Sequence, residues 1–135
     1  MNVQVTALFT VITLAAIQSS VVAGSTQVTV PMNAMSSSGQ NGSAKITRAS
    51  GDHITITIDL NGEPYGLSEP VMIHPGTCSD LKSGPKTVLN PVVEGRSITT
   101  MTSPAFNTGP RAIVVHKGVG SELNTIVSCG ELHIS

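Results

Sequence analysis

His53-Ile-Thr-Ile-Thr-Ile-Asp-Leu-Asn-Gly62 decides the fold class. Ile54, Ile56, Ile58 and Leu60 alternate with Thr55, Thr57 and Asp59, a strict period of two that puts the apolar set on one face of a half-buried strand. Asn61-Gly62 then supplies turn chemistry that ends it. Upstream, Val28, Val30 and Met32 alternate with Thr29 and Pro31, Ser36 to Gly42 reads as a polar turn, and Ala44 and Ile46 resume alternation, which predicts an opening hairpin. Pro31 cannot donate to a ladder, so the first strand is expected to be an edge or bulged there. Downstream, Val71–His74, Thr87–Asn90, Arg96–Thr102, Ala112–Lys117 and Thr125–Leu132 complete about eight strands between Gly, Pro, Ser and Asn clusters. No long helical period occurs, and the pattern predicts an all-β antiparallel sandwich or flattened barrel with Greek-key connections.

Composition agrees. The chain of 135 residues holds 13 Gly and 8 Pro, is 2% aromatic and 11% charged, and sets 7 Lys plus Arg against 8 Asp plus Glu. With a formal charge of −1 there is no basic field to attract a phosphate backbone, so nucleic-acid binding is not expected. The core must be built from Val, Ile, Leu, Ala and Met, since the aromatics are only Phe9, Tyr65 and Phe106.

Val5 to Ile17 is free of charge, and Gln18 to Ala23 ends in Val21-Val22-Ala23, which reads as a signal peptide over residues 1–23 with cleavage after Ala23. The positive end of this leader rests on the terminal amine alone, because Met1 to Gln4 carries no Lys or Arg. The run is shorter than the ~20 residues a membrane helix needs, so no membrane span is expected. Residues 24–135 then form one domain, secreted or periplasmic.

Cys78 and Cys129 are the only cysteines, and an even count in an exported small domain reads as one disulfide. Closing that loop is worth roughly 4 kcal/mol in the chain-entropy account. The alternative is a thiolate metal ligand or nucleophile, but neither cysteine has a close cysteine neighbour. Asn41-Gly42-Ser43 matches the glycosylation acceptor pattern, which matters only in a eukaryotic host.

The chemistry-bearing residues are few. In Val71-Met72-Ile73-His74, Met72 and His74 share a face, and His116 ends the apolar run Ala112 to Val115. Brought together, Met72, His74 and His116 would offer one thioether and two imidazoles, a set suited to copper, Cu(I) above all. The plainer alternative is that Met72 packs and each histidine bonds locally. His53 and His133 read as solvated, and Met32 and Met35 as packing rather than a copper pair. No nucleophile elbow, phosphate loop or dinucleotide fingerprint occurs, and the eight carboxylates look scattered.

Gly42-Ser-Ala-Lys-Ile, His53 to Gly62, Met72-Ile-His74, Gly76-Thr-Cys78, Ile113-Val-Val-His116-Lys, Ser121-Glu-Leu and Ser128-Cys-Gly-Glu-Leu resemble, in order and spacing, the copper/zinc superoxide dismutase fold. The resemblance is greatest to small exported proteins that lack the metal loops. It implies a dismutase-like Greek-key barrel, pairing of Cys78 with Cys129, and copper-ligand positions at 72, 74 and 116. The departures are equally specific. Met72 stands where the family has a copper histidine, Ser79 to Pro85 is too short for a zinc loop, and Ile126 stands where the family places its substrate-guiding arginine. The resemblance thus implies a binding module for one copper ion, with no zinc and without dismutase activity. A minimal copper-dependent dismutase or oxidoreductase, and a structural or cell-surface domain without metal, are the alternatives.

Overall fold

The computed structural model describes residues 26–48, 51–103 and 109–133. The leader, its cleavage point, Phe9 and Phe106 lie outside them. Nine strands run β1 (Thr26–Ala34), β2 (Asn41–Arg48), β3 (His53–Asn61), β4 (Ser68–Thr77), β5 (Asp80–Leu81), β6 (Thr87–Val93), β7 (Arg96–Thr102), β8 (Arg111–His116) and β9 (Ile126–Leu132). A short 3-10 turn over Gly120–Asn124 is the one helical element among the described residues. No helix among them is long and apolar enough to cross a membrane.

Every pairing is antiparallel, in the order β4-β6-β7-β3-β2-β1-β9-β8, and β8 pairs back onto β4. The sandwich-or-barrel alternative therefore resolves as a closed barrel of eight strands, with the two-residue β5 added outside on β4. β3 lies beside β7 rather than its chain neighbour β4. Closure removes the sheet edges that would otherwise expose unpaired backbone groups. Pro31 falls where expected: β1 pairs with β9 only at Asn33 and Ala34, so the preceding residues make their ladder with β2 alone.

The alternation dictates what fills the barrel. Ile54, Ile56, Ile58 and Leu60 of β3 point inward with Val30, Met32, Ala44, Ile46, Val71, Ile73, Leu89, Val92, Ile113, Val115, Val127 and Leu132, all buried. The interior is thus aliphatic around the buried Met32 thioether, apart from Gln40 and Glu69 buried at one end, and Tyr65 is 93% exposed. β4 and β8 are longer or more buried than their sequence patterns suggest, because both of their faces are covered. Val71 and Ile73 face the barrel, while Ala112, Val114 and Cys129 form a second cluster outside it, with Met35, Cys78, Leu81 and Ile126.

The bridge between Cys78 and Cys129 belongs to that outer cluster, with Cα atoms 5.9 Å apart and the two residues 51 positions apart in sequence. It ties the segment after β4 to β9. Replacing both cysteines by serine is expected to lower unfolding free energy by about 4 kcal/mol. Urea titration of oxidised and serine-substituted chains checks this, and an unchanged midpoint would deny the bridge a stabilising role.

Candidate metal centre

The β4–β8 ladder sets the site. Its register pairs Met72 with Val114 and His74 with Ala112. Side chains two apart on a strand share a face, so Met72, His74, Ala112, Val114 and His116 all lie on the outer face. His74 stands beyond the Met72/Val114 pair on one side and His116 beyond it on the other. The two imidazoles lean toward each other over that pair, and their Nε2 atoms meet at 3.2 Å, with ring planes inclined by 37°.

Both rings are buried, at 7% and 4% exposure. A cleft of about 480 Å³ opens above them, walled by Met72, Leu81, Lys82, Lys86, Leu123 and Ile126 among others. The segment between Cys78 and Lys86 forms one side of this cleft.

Hydrogen bonding fixes the ring chemistry. His116 Nδ1 lies 2.7 Å from the Leu123 carbonyl oxygen, which can only accept, so the neutral ring carries its hydrogen on Nδ1. Its Nε2 then presents a lone pair, and His74 Nε2 donates to it. A carbonyl behind the far nitrogen of an imidazole is the arrangement that orients a metal-ligating histidine.

Electrostatics keep both rings neutral. Burial, then the His116 ring, then the Lys86 ammonium push His74 down to about 4. Burial also pushes His116 down, opposed by its bond to Leu123 and aided by Lys86. Neutral imidazole is the ligating form, so neither ring has to lose a proton before it can ligate. The separation fits as well. Two bonds of about 2.0 Å to a tetrahedral ion place their nitrogens ~3.3 Å apart, close to the 3.2 Å found. Moving the His74 hydrogen to Nδ1 frees the second lone pair.

Met72 and His74 thus share a face, and the β4–β8 ladder brings His116 to the same cleft. Among the described residues no group of three His, Cys, Asp or Glu could hold a metal ion, so any third protein ligand here must be of another type. His53 is exposed at the start of β3. His133 is 80% exposed, with Nε2 at 3.7 Å from Glu131. Met32 packs in the core, Met35 against the disulfide cluster. The Asn41 amide is engaged on both sides, accepting from Ala34 N at 2.8 Å and donating to the Gly39 carbonyl at 3.4 Å.

Sequence reading missed two contributors, the Leu123 carbonyl and Lys86. A backbone acceptor has no residue signature. Lys86 enters through the path of the segment after β5, which the disulfide, the β4–β5 pairing and the pairing of Thr87 with Ile73 define.

The depressed histidines have a definite consequence for pH. Unfolded, each ring takes a proton near its ordinary value of 6.5, whereas folded His74 resists until about 4. The unfolded chain binds more protons between those values, so stability falls as pH drops through that window. Ring-proton NMR should place the His74 midpoint near 4, and His74→Gln should flatten the acid side of the stability profile; a midpoint above 6 would contradict it. Comparisons with family models, with curated proteins and with solved structures return no match to this chain.

Proposed function

We propose that this chain is an exported, superoxide-dismutase-like Greek-key module that holds a single copper ion and does not turn over superoxide. The observation that carries the proposal is the pair of Nε2 atoms, 3.2 Å apart, on neutral rings at a cleft shared with the Met72 thioether. The placement of β3 beside β7, with β4 closing on β8, supports the Greek-key reading. The disulfide is compatible with an oxidising destination. His74 and His116 supply imidazole nitrogens, and Met72 supplies a soft sulfur that biases the site toward the reduced ion. Copper bound there would bring redox capacity. The chain's own part is to hold the rings neutral, orient His116 through Leu123, and shield them under Leu81 and Ile126.

A second reading, a minimal copper-dependent oxidoreductase, draws on Lys86. Its ammonium lines the open cleft beside the rings, where it would favour an anionic substrate. Dismutation assays on copper-loaded chain separate the two readings, since the binding module is expected to show no metal-dependent activity.

Competition titration of Cu(I) is expected to give one equivalent bound. His74→Ala and His116→Ala should each weaken binding roughly 100-fold, the upper range seen even for loss of ligand-orienting groups. Met72→Ala should weaken Cu(I) more than Cu(II). Stoichiometric binding that survives both histidine changes would place the ion elsewhere, and no binding at all would leave a structural domain.

A further inference from the structure

At the barrel end the structure holds a second polar pair, unrelated to the proposed copper function. Glu69 is the first inward-facing residue of β4, in line with Val71 and Ile73, and Gln40 immediately precedes β2 on the face shared by Ala44 and Ile46. They are 1% and 2% exposed. Gln40 Nε2 donates to Glu69 Oε1 at 2.7 Å. The other oxygen of each, Gln40 Oε1 and Glu69 Oε2, is buried without a hydrogen-bond partner. Both are acceptors, so no rotation of the amide satisfies them together.

One hydrogen removes both deficits. We propose that Glu69 is kept as a carboxylic acid in the folded chain at pH values where an ordinary glutamate is ionised. Its Oε2–H then donates to Gln40 Oε1, making with the Gln40 amide a doubly hydrogen-bonded clasp that fastens the β1–β2 connection to β4 in a pH-dependent way.

The surroundings disfavour the ionised form. Burial pushes the Glu69 carboxyl up, opposed by the Gln40 bond. The charge beside it is itself acidic: Glu63 on the β3–β4 connection, whose Oε2 accepts from Gly95 N, with Glu94 in the β6–β7 turn next to Glu63. Glu63 is likewise pushed up, by burial, then by Glu69, then by Glu94. Among the described residues no lysine or arginine pairs with any of these three; Arg96, the nearby cation in sequence, pairs with Asp59 at 3.7 Å. A group whose folded value is raised adds stability that is complete below its ordinary range. That stability is lost as pH rises through the raised value.

Glu69→Gln tests this, because its amide N–H can stand where the proton stands. Infrared spectra of the wild-type chain at pH 6 should contain the C=O band of an undissociated carboxylic acid. The band should persist in Glu63→Gln and vanish in Glu69→Gln. The histidine contribution is common to both chains, so the melting difference reads Glu69 alone: it should shift in favour of Glu69→Gln as pH rises above the ordinary glutamate range. The proposal fails if wild type lacks the acid band at pH 6, or if Glu69→Gln melts below wild type at every pH. It fails too if millimolar calcium raises the wild-type melting point but not that of Glu69→Gln, since the orphaned oxygens would then serve a hard cation.

Discussion

The antiparallel ladder between β4 and β8 is the constraint on which both the fold and the site depend. It closes the barrel, which satisfies the backbone groups of two strands that would otherwise be edges. It also fixes register, and with a side-chain period of two a slip by one residue would exchange the barrel face for the outer face. A slip of β4 would send Val71 and Ile73 out of the core and Met72 and His74 into it, and a slip of β8 would do the same to Ile113, Val115 and His116. The apolar demand of the barrel is therefore what holds the two imidazoles opposite each other. His74 and His116 are far apart in sequence, and their approach is a by-product of burying aliphatic side chains on the other face.

The site is layered outward from that ladder. Leu123 orients His116 from the short turn before β9, and the segment from Cys78 to Lys86 walls the cleft. The disulfide joins the start of that wall to β9, the strand that follows the orienting turn. The covalent link thus lies close to both elements that complete the cleft, although neither cysteine lines it.

Several of these features were legible in the sequence. The alternation of Ile54 to Leu60 identifies the central strand and its inward face. The same parity rule puts Met72 and His74 together, because local alternation carries that information. Two cysteines leave one pairing. Barrel closure is less legible, since β3 beside β7 and β4 beside β8 are long-range pairings decided by the packing of the whole set. The acidic residues are instructive in the same way. Glu63, Glu69 and Glu94 look scattered along the chain, yet they converge at one barrel end because the β3–β4 connection, the start of β4 and the β6–β7 turn meet there. A glutamate at a core-facing strand position breaks the apolar pattern, and that break was the available signal.

The central claim is that two imidazoles and one thioether converge on a single ion. X-ray absorption fine structure of the chain loaded with one equivalent of Cu(I) reads those neighbours directly. Two nitrogen scatterers with the multiple-scattering pattern of imidazole, and one sulfur scatterer that disappears in Met72→Leu, are the expected result. A shell without imidazole, or one left unchanged by replacing His74 and His116, would contradict the account.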